Sequence, residues 1–498
     1  MNGFNYLDII ILVAYLAGIT YFGIRIAGRQ LSTKDYFLGG KRIPWWAVCF
    51  AIVATETSTL TFISIPGVAY LTNLNFLQLT IGYFLGRVTV AYVILPAYFR
   101  GEISTAYSFL SNRFGTPMKN FASGVFMMTR LAADGVRLFA TAIPLAIILR
   151  GTFIAEAVSP EWIYIGSILV IAIVSLSYTY VGGLRAVVWM DVVQLFIYIG
   201  GAIAAIVLLG NYIPGGIGAA ISTAAEAGKF EMFNFSFEGG LSGFFSTPYT
   251  FIASIIGGAF LSMASHGVDQ LIVQRLLAAG TFEKSRRALV FTGGIIIFQF
   301  GLFLFLGSLL YVFYGGVDLP SDEIFPMFII QEMPSGLSGL IVAALFAAAM
   351  STLSSSISAL ASATMYDYLM PYWKGINTDN EVAVSRFVTL VWCFLLVGSA
   401  IVFMQSPQTV VELALSIASF TYGGLLGTFF LGVLFTKPQL RHAVPAFIAG
   451  IAVMIYVILF TSIAWTWYTI IGAGVTVSVG LFLTYVMDRG NGRNTIES

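Results

Sequence analysis

The chain has 498 residues, of which 58% are hydrophobic and only 9% are charged. Soluble globular proteins carry about 25% charged residues, so this chain lacks the polar side chains needed to cover a soluble fold. Its net charge of +1 offers no attraction to nucleic acid, and its two cysteines are too few for a disulfide scaffold. The composition therefore predicts an integral membrane protein. Because HExxH, Walker A and GxSxG motifs are absent from the sequence, we do not expect an enzyme.

The apolar segments predict an all-α membrane protein. A bilayer core about 30 Å thick requires roughly 20 apolar residues of helix, and thirteen segments meet this requirement. They cover residues 6–26, 44–71, 75–98, 120–148, 161–180, 186–210, 248–274, 288–314, 337–369, 385–405, 409–435, 443–464 and 466–487. Residues 1–498 are therefore expected to form a single transmembrane domain with a short tail, 488–498.

The basic residues predict the orientation, because Lys and Arg concentrate on the cytoplasmic side of membrane proteins. Asp8 precedes the first apolar segment, whereas Arg25 and Arg29 follow it, so the N-terminus is expected outside. Thirteen crossings from that start place all but five of the 24 basic residues in cytoplasmic segments. The C-terminus is then cytoplasmic.

Charged residues inside apolar segments indicate a polar pathway, because a charge in the bilayer core is costly unless it faces a cavity or a partner. The candidates are Glu56, Arg87, Asp134, Arg137, Asp191, Asp269 and Glu412. Internal pairs are the alternative: Arg87 with Glu56, and Arg137 with Asp134 on the same helix face. A planar guanidinium also suits a carboxylate ligand, which leaves both roles open for Arg137.

The second segment, 44–71, has the composition of a broken helix. Six hydroxyl or carboxyl residues fall within positions 54–61, and Pro66 and Gly67 follow. Hydroxyls compete for backbone hydrogen bonds and proline removes a donor, so free carbonyls are expected there to bind an ion or a substrate. The alternative is a proline-kinked helix whose hydroxyls bond back to their own carbonyls.

The seventh segment, 248–274, offers a matching interruption five spans later. Gly257, Gly258 and Gly267 bracket polar groups, and Asp269 follows. Two interruptions at this separation suit two inverted repeats of five helices each. The alternatives are close helix packing at the glycines and a position facing a loop for Asp269.

The ninth segment carries a strip of serines on one helix face, since their positions follow helical periodicity. The strip consists of Ser351, Ser354, Ser355, Ser358 and Ser362. Hydroxyls are neutral oxygen donors, so the strip favours binding of a hard monovalent cation over the alternative of interhelical hydrogen bonding. Asp191, near the start of the sixth segment, is a second cation ligand, an acid on the exit path, or an interfacial partner of Arg185.

Five motifs in this order resemble the sodium/solute symporter family, which includes sodium–sugar, sodium–sialic acid and sodium–proline cotransporters. The resemblance covers about residues 5–490. The motifs occupy residues 35–40, 54–67, 178–191, 270–275 and 351–356.

The resemblance implies a LeuT-type 5+5 inverted repeat, with repeats at 44–210 and 248–435. One extra helix (6–26) would precede them and two helices (443–487) would follow. It also implies a principal sodium site made by the carbonyls of Ala54, Thr57 and Ala348 and the hydroxyls of Ser351 and Thr352. The sialic acid branch implies a second sodium site at Asp191, Ser351, Ser354 and Ser355.

Substrate positions are implied less sharply. Ser58 and Thr61 match positions that hold the ligand in the sialic acid branch, and Arg137 matches an arginine that binds a carboxylate there. Glu56 departs from that pattern, because its charge would repel an anion unless Arg87 or Arg137 neutralises it. Two residues of the interrupted seventh segment complete the candidate set, namely His266 and Asp269.

The expected function is sodium-coupled import of a small polar solute by alternating access. The solute class stays open among a sugar, a sialic acid-like acid, a zwitterion and another organic acid. The transporter is expected in the plasma (inner) membrane as a multi-pass monomer without an organic cofactor or nucleic-acid partner. The alternatives are proton coupling through Asp191 or Glu56, and a substrate-gated channel or sensor on the same scaffold.

Overall fold

The computed structural model describes residues 5–101, 103–150, 158–404 and 410–493, and every regular element within these ranges is a helix. The Glu412 side chain, proposed above as an intramembrane charge, lies outside the described part of the chain, as do residues 494–498 of the tail. The all-α prediction is confirmed for the described ranges.

The helices of the first half of the chain alternate long apolar segments with short connecting helices. They are α1 (Tyr6–Ile26), α2 (Thr33–Leu38), α3 (Trp45–Glu56), α4 (Thr59–Leu71), α5 (Leu77–Tyr98), α6 (Ala106–Phe114), α7 (Thr116–Arg150), α8 (Pro160–Tyr212) and α9 (Gly216–Glu226). The 110° bend between the short segment Thr33–Lys41 and Trp45–Glu56 turns α2 across the start of α3.

The second half follows the same plan. Its helices are α10 (Gly240–Ser246), α11 (Gly258–Gly267), α12 (Gln270–Ala278), α13 (Phe282–Tyr314), α14 (Ser321–Gln331), α15 (Leu337–Ala363), α16 (Glu381–Phe403), α17 (Val410–Leu434), α18 (Leu440–Phe460) and α19 (Tyr468–Arg493). A π-helical turn, Ala253–Gly257, leads into α11, and another, Thr364–Leu369, extends α15.

Helix α8 contains two of the predicted spans. Its 53 residues would extend about 80 Å at 1.5 Å per residue, far more than one crossing needs. The helix breaks at Gly183, where φ is 53° and ψ is −152°, and a side chain there would collide with the Tyr36 carbonyl. Only glycine adopts this backbone conformation readily, so Gly183 ends the segment predicted at 161–180 and allows the next at 186–210.

Many of the helices can cross a bilayer. Among the described residues, eight helices are long and apolar enough by themselves, and the bent pair Thr33–Lys41 and Trp45–Glu56 raises the number to nine if it forms one span. Length and composition therefore support a multi-pass membrane protein, whereas the number thirteen and the orientation of the termini stay predictions.

Helix α15 lies at the centre of the bundle. In its most apolar stretch 89% of the residues are buried, compared with 22% for α1 at the periphery of the bundle. The neighbours of α15 include α8, α1, α7, α16 and α3. The predicted serine strip therefore faces protein on all sides.

A buried acid ties the peripheral α1 to this central helix. The Asp8 carboxylate accepts hydrogen bonds from the backbone N–H groups of Gly336 (2.7 Å) and Gly339 (2.8 Å) at the start of α15. Unpaired N–H groups and the helix dipole make a helix N-terminus favourable for an anion. Asp8 thus supplies from α1 the cap that α15 lacks in its own sequence.

Candidate functional site

The second predicted span is broken between α3 and α4, as the sequence predicted. Thr57 and Ser58 leave the helical conformation, with ψ values of 89° and 165°. The Ser58 N–H bonds to the Glu56 carbonyl (3.1 Å) and not to the Ala54 carbonyl four residues back. The Ala54 carbonyl is thereby released from the helical pattern. Pro66, in contrast, lies inside α4 without breaking it.

Some hydroxyls around the break also follow the alternative interpretation. The Thr55 and Thr57 hydroxyls donate to the carbonyls of Ala51 (2.7 Å) and Val53 (2.9 Å) one turn earlier. These bonds satisfy the two hydroxyls with carbonyls of α3, but they do not restore the helical backbone hydrogen bond of the Ser58 N–H. Both patterns inferred from the sequence therefore coexist, with back-bonded hydroxyls at Thr55 and Thr57 and an interruption of the helix at Thr57 and Ser58.

Two hydrogen bonds hold the centre of α15 against the break. On one side Thr55 Oγ1 lies 3.2 Å from Ser355 Oγ, and on the other Thr59 Oγ1 donates to the Leu345 carbonyl (3.1 Å). Four of the five residues predicted for the principal sodium site lie between these contacts, namely Thr57 on the broken helix and Ala348, Ser351 and Thr352 on α15. The fifth, Ala54, directly precedes Thr55.

One further polar contact at the break was not anticipated. The buried Gln299 side chain of α13 donates a hydrogen bond to the Thr57 hydroxyl. This amide fixes the hydroxyl's orientation while the hydroxyl donates to the Val53 carbonyl. A lone glutamine in an apolar segment was the only sequence signal for it.

The residues predicted for a second cation site also lie together, around the buried Asp191. The Ser351 hydroxyl donates to Asp191 Oδ1 (2.7 Å), and Ser354 donates to the Ser351 carbonyl (3.2 Å). Arg275 lies 2.8 Å from Asp191 Oδ2 and also bonds Ser355. The carboxylate is therefore already balanced by a guanidinium.

The interpretation of Asp191 as a partner of Arg185 was wrong, because Arg275 from α12 takes that place. Both members of the Asp191–Arg275 pair are fully buried. A cation at Asp191 would share its oxygens with this guanidinium or displace it.

A cavity of about 320 Å³ opens beside the break, between α4 and α11. Five of the six predicted substrate residues line it, namely Glu56, Ser58, Thr61, Arg137 and His266. Thr352 of the predicted sodium site also reaches it. Aromatic rings that the sequence did not single out contribute much of the wall, namely Phe76, Tyr83, Tyr249, Phe300, Tyr422 and Trp465.

The charge of Glu56 is neutralised within the protein. Its Oε1 lies 2.5 Å from Nη2 of Arg87, which is fully buried, and 3.1 Å from Nε2 of His266. The predicted pairing of Glu56 with Arg87 is thus confirmed. The pair removes the repulsion that Glu56 would otherwise exert on an anion in the cavity.

Arg137 keeps a guanidinium available to the cavity. Its distance to Asp134 is 3.7 Å, whereas Asp134 receives a closer bond from Arg130 (3.1 Å) and another from Ser356 (2.7 Å). The Arg137 side chain is 28% exposed, compared with 2% for Asp134. Asp134 thus pairs mainly with Arg130, and it holds Arg137 only loosely.

Asp269, the sixth predicted substrate residue, lies outside the cavity lining. It is fully buried between α11 and α12, where its carboxylate caps α12 by accepting from the Leu271 N–H (2.9 Å). It also pairs with Arg130 and accepts from the Tyr422 hydroxyl (2.7 Å). It therefore does not face a loop.

The glycines of the seventh segment pack closely, as the alternative interpretation proposed. A Cβ atom at Gly258 would lie 2.6 Å from the Leu79 carbonyl, so only glycine lets α11 approach α5 this closely. Of the groups around Asp269 that the sequence analysis missed, Arg130 had a signal, its i,i+4 spacing from Asp134. Tyr422 had none.

Comparisons of sequence agree with this geometry. The family model described as "Sodium:solute symporter family" matches residues 36–450. The sodium/sialic acid symporter NanT of Aliivibrio fischeri is 29% identical, covering 98% of this chain and 95% of its own. Human sodium-coupled monocarboxylate transporter 1 is 27% identical, covering 86% of this chain and 69% of its own.

Solved structures give the same picture. A substrate-bound, outward-open sodium-coupled sialic acid symporter superimposes with a TM-score of 0.84 at 26% identity, covering 97% of this chain and 98% of its own. A nucleobase-cation-symport-1 family transporter in a closed conformation superimposes with a TM-score of 0.52 at 13% identity, over 90% and 93%. The second likeness concerns the fold alone.

Proposed function

Because this chain belongs to the sodium:solute symporter family, we propose that it uses sodium to import a small polar solute that carries a carboxylate. Its family and its apolar helices make it a multi-pass membrane transporter that carries sodium together with a small organic solute. No organic cofactor is indicated for transporters of this family.

The observation that carries the substrate class is the contrast between the two charged groups of the cavity. Glu56 is neutralised by Arg87 at 2.5 Å, whereas Arg137 is 28% exposed and lies 3.7 Å from a carboxylate that has closer partners. The cavity therefore favours an anionic group near Arg137 and hydroxyl or ammonium donors near Glu56. A sialic acid-like sugar acid and a zwitterion both meet this description.

For sodium, the proposal assigns the principal site to the Ala54, Thr57 and Ala348 carbonyls with the Ser351 and Thr352 hydroxyls. The released Ala54 carbonyl and the bracketing contacts Thr55–Ser355 and Thr59–Leu345 support it. A second ion would use Asp191, Ser351, Ser354 and Ser355. The Arg275 guanidinium makes this second site depend on rearrangement of the Asp191 pair.

We further propose the LeuT-type architecture for the whole chain. Thirteen crossings result when α8 counts twice and each broken helix counts once, with repeats at 44–210 and 248–435. The extra helix 6–26 precedes the repeats, and the helices of 443–487 follow them. The asymmetry of the basic residues supports an outside N-terminus and a cytoplasmic C-terminus, and the chain acts as a monomer in the plasma membrane.

A specific contact favours one alternative, symport driven by protons. His266 Nε2 lies 3.1 Å from Glu56 Oε1 at the cavity wall, which places a titratable pair where a substrate would bind. This alternative predicts that replacing sodium by choline at constant pH leaves substrate binding unchanged.

A thermal-shift screen of the purified protein tests sodium coupling and substrate class together. Sugars, sialic acids, amino acids and monocarboxylates would each be added in sodium, potassium or choline chloride. We expect a carboxylate-bearing ligand to raise the unfolding temperature only in sodium, because a ligand stabilises the state that binds it. Equal stabilisation in all salts would contradict sodium coupling and favour the proton-driven alternative.

The variant Arg137→Ala tests the carboxylate contact. We expect roughly tenfold or greater loss of substrate affinity with little change in sodium affinity, because a charge-assisted hydrogen bond contributes about 1.5–3 kcal/mol. Arg286→Ala, which removes an arginine from an exposed pair with Glu283, is the control. Loss of folding in Arg137→Ala alone would favour a structural role beside Asp134.

A further inference from the structure

The predicted serine strip of α15 divides into two parts with different partners. Ser351 bonds Asp191 beside the proposed sodium sites. Three of the four serines further along the strip each accept a hydrogen bond from a polar side chain of α12, whereas Ser354 donates to the Ser351 carbonyl. These pairs are Arg275 with Ser355, Gln274 with Ser358 (3.2 Å) and Gln270 with Ser362 (3.3 Å). We call these three pairs the α12 zipper.

Each polar residue of the α12 zipper also bonds a third segment. Gln274 donates to the Phe37 carbonyl in α2 (2.8 Å), and Gln270 accepts from the Ala106 N–H at the start of α6 (2.8 Å). Arg275 pairs with Asp191 of α8 (2.8 Å). The zipper thus joins α15 to the two short helices that follow α1 and α5.

The same helix separates this network from the cavity. Leu271 and Ile272 of α12 line the cavity, whereas Gln270, Gln274 and Arg275 are fully buried on the side of α2 and α6. Helix α12 therefore lies between the cavity and the short helices α2 and α6, which the basic residues assign to the cytoplasmic side. Alternating access requires that side to open, and opening there separates α12 from its partners.

The zipper favours an all-or-none change between a closed and an open arrangement of α12, because buried amides and guanidinium groups are costly to leave without hydrogen-bond partners. Small displacements of α12 would break several bonds without admitting water to replace them. The arrangement is therefore stable when fully closed or when open and hydrated. Packed elements with two discrete arrangements are the usual carriers of coupling between sites.

One hydroxyl connects the zipper to the sodium sites. Ser351, a proposed sodium ligand, donates to the carboxylate that pairs with Arg275, and Ser355 donates to the Ser351 carbonyl (2.5 Å). An ion that fixes Ser351 in place therefore also fixes Asp191 and Ser355, which are both partners of Arg275. When the ion leaves, both partners become free to move.

From this network we infer that Gln270, Gln274 and Arg275 are positioning residues for transport. When sodium is bound, they hold α2 and α6 against α12 at the cytoplasmic end of the cavity. The inference rests on the proposed sodium-driven function and adds the elements that respond to the ion. It does not require these residues to contact the substrate.

Hydrogen exchange of the full-length protein, measured by mass spectrometry in sodium and in choline chloride, tests this inference. In the wild type we expect sodium to slow amide exchange in α2 and α6 roughly fivefold or more, within the usual range of coupling between sites. Gln274→Leu and Ser358→Ala should abolish most of this sodium effect. The matched control is Ser308→Ala, which removes a buried serine whose hydroxyl donates to the Leu304 carbonyl of its own helix.

The outcomes separate the zipper from the function on which it rests. A wild-type sodium response that persists at full size in Gln274→Leu and Ser358→Ala would overturn the zipper alone. No sodium response in the wild type would overturn the zipper and sodium coupling together. If Gln274→Leu does not fold, Ser358→Ala still decides the question, because it removes only one hydroxyl.

Discussion

The two broken helices of this transporter end in different chemistry. Between α3 and α4 the cap is the neutral hydroxyl of Ser58, which accepts from the Thr61 N–H (3.3 Å), and the Ser58 N–H bonds to the Glu56 carbonyl and not to that of Ala54. Between α11 and α12 the cap is the carboxylate of Asp269, which is fully buried and paired with Arg130. The first break borders the cavity, whereas Asp269 lies outside its lining.

The comparison teaches that the capping group decides what a break can bind. A neutral cap leaves carbonyl oxygens to a cation without a charge that needs a permanent partner. A buried carboxylate needs such a partner, and removing either member of the pair leaves an uncompensated charge. The first break therefore suits an ion that enters and leaves, and the second serves as a fixed joint.

The largest effect on transport is expected at the neutral break. Ser351→Ala and Thr352→Ala should each abolish sodium-stimulated uptake, because each removes a hydroxyl ligand of the proposed principal site. The free energy of unfolding should fall by about 1 kcal/mol in Thr352→Ala, which loses one hydrogen bond to a carbonyl, and by about 1.5–3 kcal/mol in Ser351→Ala, which loses a bond to the buried Asp191 carboxylate. Uptake into proteoliposomes with and without a sodium gradient measures this, and Ser308→Ala is the control. Unchanged sodium dependence in both variants would refute the site.

The largest effect on stability is expected at the charged break. Asp269→Asn should lower the free energy of unfolding in detergent by roughly 3 kcal/mol, because Arg130 loses one of its two buried carboxylates. Glu283→Gln, in an exposed pair, should cost less than about 1 kcal/mol. Weaker substrate binding at unchanged stability would instead make Asp269 a ligand, as the sequence proposed.

An intermediate effect on transport is expected at Asp191, which is both a proposed sodium ligand and the buried partner of Arg275. Asp191→Asn should lower the Hill coefficient for sodium towards one, because it removes the only charged ligand of the second proposed site. Arg275 would then lack a full counter-charge, so the double variant Asp191→Asn, Arg275→Gln separates lost ion binding from an unpaired cation. Sodium titration of uptake measures the coefficient, and an unchanged value would indicate a single ion.

The smallest effect is expected at the cap of the neutral break. Ser58→Ala should reduce the free energy of unfolding by about 1 kcal/mol, the typical loss of a helix N-cap. Thr281→Ala removes a comparable cap from α13, outside the cavity lining. The two variants should lose similar stability, and only Ser58→Ala should weaken substrate binding. Equal substrate affinity in both would remove Ser58 from the substrate site.

Sequence predicted the features that depend on local chemistry. The density of hydroxyls at 54–61 located the first break, and the helical spacing of the serines placed them on one face. The pairing of Asp191 was missed, because Arg275 lies 84 residues away and only the packing of α12 against α15 brings it close. Likewise Tyr422 reaches Asp269 across 153 residues, with no periodicity or motif to indicate it.

The serine strip shows where local reasoning reached its limit. Its periodicity correctly placed all five serines on one buried face, and the sequence then favoured one role for the whole face. In the structure the hydrogen-bond partners of the serines change along the helix, because different segments pack against successive turns. Helical periodicity predicts which face the serines share, but it does not predict which segment packs against each turn.

The Asp8 cap of α15 bears on the order in which the chain is assembled in the membrane. Its partners Gly336 and Gly339 are 328 and 331 residues further along the chain. At about 5–20 residues per second, ribosomes need roughly 20 to 60 s to reach them after α1 has been made. During that interval the Asp8 carboxylate lacks these two N–H partners, whereas the Asn5 N–H of its own helix end can reach it (2.9 Å). Helix α1 is therefore synthesised well before the part of α15 that its acid caps.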